Sequence, residues 1–150
     1  MKKLTVLLFI LSFFSLLSTE TLAKGNKLVW NDNLEKAVEI AKKEDKAILI
    51  NFSGSDWCKW CKRLDAEVFT QKEFINYAEK NLVLVKIDFP QYKQQDPAVK
   101  SYNKELAQMF RVQGFPTVVL INKKQKLTAY TGYQEGGAGN YVKYLKSVLK

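Results

Sequence analysis

The chain has 150 residues, with 24 basic against 15 acidic, no histidine and two cysteines, giving a formal net charge of +9. That length suits one domain around one core, and a zinc site, which needs about four ligands, cannot be assembled from two cysteines without histidine unless two chains share the metal. The lysines are dispersed (Lys42, Lys43, Lys100, Lys104, Lys123, Lys124, Lys143, Lys146) and read as solvated faces, so no nucleic-acid partner is expected and only a weak pull toward acidic partners or anionic surfaces remains.

Residues 1–23 read as a secretory signal peptide. Lys2 and Lys3 form a basic start, Leu4–Leu17 is almost wholly apolar, and Thr21-Leu22-Ala23 places small residues at a cleavage site. The alternative is a retained membrane anchor, for which the apolar run is short against the roughly 20 residues that span a bilayer. No cysteine follows the run, which excludes an acylated-lipoprotein signal. The domain is therefore expected to be 24–150. Its location is expected to be periplasmic or secreted.

Leu28-Val29-Trp30 is a short first strand. Asp32 with Glu35 resembles a capping box opening a helix with Leu34, Ala37, Val38, Ile40 and Ala41 on one side. Lys46 to Phe52 is a buried strand. After the polar turn Ser53-Gly54-Ser55-Asp56 a helix begins at Trp57-Cys58-Lys59-Trp60-Cys61. Thr70 with Glu73 suggests a second capping box, with Phe74, Ile75 and Ala78 behind it. Leu82 to Asp88 is nearly continuous aliphatic sequence, as in a strand covered on both faces, and Lys86 and Asp88 alternate with Val85 and Ile87. A polar loop, Phe89 to Pro97, leads to a helix from Ala98 to Phe110. Strands Val118–Asn122 and Lys126–Thr131 form a hairpin, and Gly136–Gly139 is a flexible approach to a last helix, Tyr141–Leu149. The order β-α-β-α-β-α-β-β-α predicts an α/β fold with a mixed sheet and helices on both faces.

The cysteines carry the chemistry. Cys58 at a helix N-terminus meets unpaired N–H groups that favour an anion, and the thiolate is the reactive form of cysteine. Cys61, one turn later, is within reach of a disulfide. A purely structural bridge across so short a loop would restrain the unfolded chain little. In an exported chain, where cysteines usually serve as dispersed staples, a lone adjacent pair is free to act as a redox dithiol. Cys58 is expected to be exposed, with Lys59 lowering its pKa further. Trp57 and Trp60 are candidates for an apolar docking rim or for plain loop packing. Lys86 is either an edge charge or a cation near the pair.

The strand ending at Phe52, Trp57 before Cys58, the Cys58-x-x-Cys61 pair, Lys86 and Phe115-Pro116-Thr117 occur in the order found in thioredoxin-like proteins. The chain resembles that family over roughly Ala47 to Leu149, and Asp56 to Lys62 with Glu67-Val68-Phe69 is most similar to exported bacterial members. The resemblance implies a thioredoxin-like fold and a cis Pro116 beside the cysteines. It also implies that the backbone at Phe115-Pro116 pairs with an extended substrate. Asn51 stands where many thioredoxins have a buried aspartate serving the second cysteine, and it cannot act as a base. The turn from Asn51 to Cys58 is one residue longer than in thioredoxin itself.

The implied activity is protein-disulfide oxidoreduction with Cys58 and Cys61 as the reacting pair, no cofactor and no metal. Protein disulfides are the expected substrates, a membrane electron donor the expected partner, and a monomer the expected state. Strong oxidants of this class often stabilise the thiolate with a histidine between the cysteines, so the histidine-free sequence favours a reductant or general oxidoreductase over a primary oxidant. An isomerase or a non-enzymatic binding module are the competing readings.

Overall fold

The structure, a computed structural model, describes residues 28–150; the predicted leader and its cleavage site lie outside the described residues. Five strands form one sheet in the order β1-β3-β2-β4-β5. They are β1 (Trp30–Asn31), β2 (Ala47–Ser53), β3 (Leu82–Asp88), β4 (Thr117–Ile121) and β5 (Leu127–Thr131). The first three run parallel, whereas β4 is antiparallel to β2 and β5 to β4. The sheet is mixed, as the element order predicts.

Side-chain alternation along the strands divides the core into two layers. Ala47 and Leu49 of β2, Leu82 and Leu84 of β3, and Val118 and Leu120 of β4 face one side. There they meet Leu64, Val68, Phe69 and Phe74 and the last-helix residues Tyr141 and Leu145. Ile48, Ile50 and Phe52, with Val83, Val85, Ile87 and Val119, face the other side and meet Leu34, Ala37, Ala41, Leu106 and Phe110. Strands β2 and β3 are covered on both faces, which is why they read as unbroken apolar runs. Each large side chain taken fully out of water there contributes about 1.5–3 kcal/mol.

The helices are α1 (Leu34–Glu44), α2 (Lys59–Leu64), α3 (Lys72–Asn81), α4 (Pro97–Met109) and α5 (Gly137–Val148), with a π turn, Asp65–Phe69, continuing α2. The cysteine helix and the helix expected after Thr70 are both present between β2 and β3, joined by this turn, where the expected element order has one helical step. Such turns shift the register of an α-helix by one residue, and this one brings both Val68 and Phe69 into the core.

Both predicted capping boxes are displaced. Asn33, not Asp32, caps α1, its side chain accepting the Lys36 N–H at 2.7 Å. Thr70 closes the preceding turn instead of opening α3: its hydroxyl donates to the Asp65 carbonyl at 2.9 Å, and Gln71 takes the cap position without a side-chain bond. Cap residues are short polar side chains that satisfy either end of a helix, so adjacent candidates are separated only by the backbone path. The glycines before the last helix are also not a loose approach, because α5 already begins at Gly137, after Gly136 at φ 97°.

Candidate active site

The carboxyl ends of β2 and β3 turn polar on one face. Asn51 lies opposite Lys86 and Ser53 opposite Asp88 in the parallel register. By alternation, all four share the face of Leu49 and Leu84, the one covered by α2. The cysteines stand above this patch at the start of α2.

Cys58 is the N-cap of α2, and its Sγ accepts the Cys61 N–H at 3.2 Å. The two cysteines are joined as a disulfide with Cα atoms 5.3 Å apart. When the bond is reduced, the same N–H faces a thiolate, the arrangement expected of a reactive cysteine. Cys58 is less exposed than the sequence suggests: 5% against 2% for Cys61. The expected exposure of Cys58 is thus not found: both cysteines are buried among the surrounding side chains, Cys58 slightly less so.

Two aromatic groups flank the pair. On one side the Trp57 ring meets Phe115 edge-on at 5.9 Å, Phe115 packs at a tilt against Phe89 at 5.0 Å, and the Trp57 indole N–H donates to the Phe89 carbonyl at 2.8 Å. Gly54 makes room for this: a Cβ there would sit 2.5 Å from the indole. Phe115-Pro116 is cis, as the resemblance implies. The loop after β3 is tied to the cysteine turn by carboxylates. Asp56 accepts the N–H groups of Gln91, Tyr92 and Lys93 at 2.8–3.0 Å. Asp88 accepts the Ser55 N–H at 2.9 Å and the Ser55 hydroxyl at 2.6 Å. Desolvation raises the Asp56 pKa, but the amides of Gln91, Tyr92 and Lys93 and its own together outweigh it and hold the carboxyl below its usual range.

On the other side Trp60, 48% exposed, lies 5.3 Å from Tyr133. The Arg63 guanidinium sits over both rings, 5.5 Å from Trp60 and 4.8 Å from Tyr133. Glu67 closes the box, accepting from Arg63 Nε and from the Tyr133 hydroxyl, each at 2.6 Å. The Arg63 hydrogen bond and then the Tyr133 one lower the Glu67 pKa.

Lys86 is neither free nor a simple edge charge. Its Nζ lies 3.7 Å from Asp65 Oδ2 in the π turn. Burial pushes the Asp65 carboxyl up; Lys86 partly opposes this, and Asp88 adds to it. Sequence reasoning missed Asp65, although its place one helical turn after Cys61 was a usable signal. Glu67, the nearby acid in sequence, points into the surface box instead. Asn51 is 1% exposed, and its Oδ1, like the Ser53 hydroxyl, has no hydrogen-bond partner among the described residues. Lys59 is exposed beside Cys58. Among the described residues no cluster of ligating side chains could hold a metal.

Residues 34–149 match the thioredoxin-like domain family. The chain belongs to that family. It is 37% identical over 136 residues to the disulfide bond reductase DsbH of Chlamydia pneumoniae, covering 91% of this chain and 81% of that one. A solved DsbH oxidoreductase matches at a TM-score of 0.76 with 36% identity, over 83% of this chain and 85% of the other. The oxidised C-terminal domain of Neisseria meningitidis DsbD shares the fold at a TM-score of 0.59 and 18% identity, over 80% of this chain and 99% of that one.

Proposed function

We propose that the protein is an exported thiol–disulfide oxidoreductase that reduces disulfides of other proteins through Cys58 and Cys61. The observation carrying this reading is the Cys58–Cys61 bond at the start of α2 with the Cys61 N–H directed at Cys58 Sγ. It is supported by the similarity to a protein named as a disulfide bond reductase.

In the reduced state the Cys58 thiolate attacks one sulfur of a partner disulfide. A bond forms between Cys58 and that sulfur, and the partner's other sulfur leaves as a thiolate that takes up a proton. Cys61, deprotonated, then attacks Cys58 Sγ; the intermolecular bond breaks and the partner departs as a dithiol. The chain is left oxidised, and a dithiol donor, expected at the membrane, restores it by the reverse exchange. Lys59 favours the Cys58 thiolate, and Lys86, paired with Asp65, supports the polar patch beneath Cys61. Trp57, Phe115 and Pro116 form one wall of the substrate groove and Trp60 the other. Among the described residues no helix is long and apolar enough to cross a membrane. The proposal includes export, removal of the leader and action as a monomer.

Insulin reduction with dithiothreitol tests the activity: the protein accelerates precipitation, and Cys58→Ser abolishes the acceleration. Direction is read from the equilibrium of the pair with glutathione. A potential near the thioredoxin value of about −270 mV supports reduction, whereas one near about −120 mV makes the protein an oxidant.

A further inference from the structure

We propose that the flank of the redox pair formed by the 89–97 loop and α4 is a docking surface for an acidic segment of a protein thiol–disulfide partner. This deepens the oxidoreductase reading and rests on it. Two clefts, of about 430 and 460 Å³, meet at Phe89. Lys104 and Arg111 rim the first, Lys93 and Lys100 the second, and among the described residues no carboxylate lines either. Lys100 and Lys104 lie one turn apart on the same stripe of α4, and Arg111 follows just beyond its end.

These cations are unspent. Among the described residues none of the four has a carboxylate at ion-pair distance, whereas Arg63, on the opposite flank, is bound to Glu67. The acids nearby are already engaged. Asp56 holds three loop amides, Asp88 holds Ser55, and Asp96 caps α4 through the Ala98 and Val99 N–H groups. Glu105 meets the Ser101 hydroxyl at 3.4 Å. The charged residues lining the clefts are therefore all basic, which favours a carboxylate-rich chain and raises its encounter rate.

Apolar side chains line both, Phe89, Ala107 and Val112 in the first, which is mainly apolar, and Phe89, Pro90 and Pro97 among glutamines in the second. A concave, partly apolar lining with a charged rim suits an extended peptide better than a flat bilayer surface, which binds apolar faces that project outward. Phe89 also connects the clefts to the reaction. Its ring packs at a tilt against Phe115, and its carbonyl takes the Trp57 indole N–H next to Cys58. A partner segment seated here lies against the wall of the redox site, so its cysteine is delivered to Cys58.

The test uses the full chain and two synthetic disulfide-bonded peptides, identical around the cystine but with glutamate-rich or glutamine-rich flanks. The wild type is expected to favour the acidic peptide on the order of tenfold in kcat/KM at low salt, through KM, with the advantage shrinking as salt rises. Lys104→Glu/Arg111→Glu, and separately Lys93→Glu/Lys100→Glu, should erase that advantage while hydroxyethyl disulfide is reduced at the wild-type rate. Equal turnover of both peptides by the wild type, or a preference that survives both double variants, overturns the proposal. Fluorescence anisotropy of a cysteine-free acidic peptide reads docking by itself. Binding lost in the variants upholds the surface even if no disulfide is turned over, a result that would instead defeat the oxidoreductase reading. Sedimentation with phosphatidylglycerol vesicles in place of peptide binding would assign these cations to a lipid surface and overturn the proposal.

Discussion

The two flanks of the disulfide are both aromatic, yet they are held by different means. On the loop flank a carboxylate grips backbone: Asp56 takes three consecutive amides, and the Trp57 indole is pinned to a carbonyl. On the helix flank side chains hold one another in the box of Trp60, Arg63, Glu67 and Tyr133. Backbone held by a carboxylate is set by the path of the chain. Exposed side-chain boxes lose rotamer entropy for each contact and are screened by salt, so they add little. The loop flank should therefore be the rigid half of the groove and the helix flank the adaptable half.

The sharpest way to break this contrast is Gly54→Ala. A Cβ 2.5 Å from the indole forces Trp57 off Phe115 and off its carbonyl partner. A loss of about 1–3 kcal/mol is expected from such overpacking, measured by urea unfolding, with an altered near-ultraviolet Trp signal. Unchanged stability would show the loop flank to be loosely packed.

Next in size is Asp56→Asn, which should speed hydrogen exchange at the amides of Gln91, Tyr92 and Lys93 while leaving the β2–β3 amides protected. The pH dependence has a definite sign. The folded pKa lies below the ordinary value of 3.8, so the bound loop is stabilised above that value and the gain is lost as pH falls through the folded pKa. Protection of these three amides that does not decline in strong acid would contradict the assignment.

Asp65→Asn probes the floor between the flanks, with the opposite sign. Burial raises the folded pKa above 3.8, so the folded state binds the proton more tightly and stability falls as pH rises from that value through the folded pKa. The variant should lack that fall, and urea midpoints from pH 3.5 to 7 would reveal it. Parallel curves for the two proteins would place the penalty elsewhere.

The smallest effect is expected from Tyr133→Phe, which removes one bond to an exposed carboxylate. Global stability should hardly move, while acrylamide quenching of Trp60 fluorescence, read in a Trp30→Phe/Trp57→Phe background that leaves Trp60 as the single tryptophan, increases as the box loosens. A large drop in stability would mean that the helix flank is as rigid as the loop flank.

Much of this was visible in the amino-acid order alone. The unbroken aliphatic runs of β2 and β3 announce strands covered on both faces, and the Cys58/Cys61 spacing together with the apolar run before it announces a helix-start dithiol. These are local signals, because periodicity and turn chemistry act over a few residues. What eluded sequence reasoning was set by competition between neighbours or by distant pairing. Asn33 displaced Asp32 as a cap, and Thr70 turned back to close the π turn. Asp65 met Lys86 while Glu67 met Tyr133, since residues two apart point to different sides of a helix.

The sequence by itself thus determined the architecture and the two sulfur atoms, because burial patterns and cysteine spacing are properties of the chain read in order. Only the tertiary structure decided which side chains surround those atoms. Asp56 meets the 91–93 amides, Lys86 meets Asp65, and Tyr133 meets Glu67 across separations that no local pattern encodes. Each of those meetings depends on how the sheet brings its strand ends together.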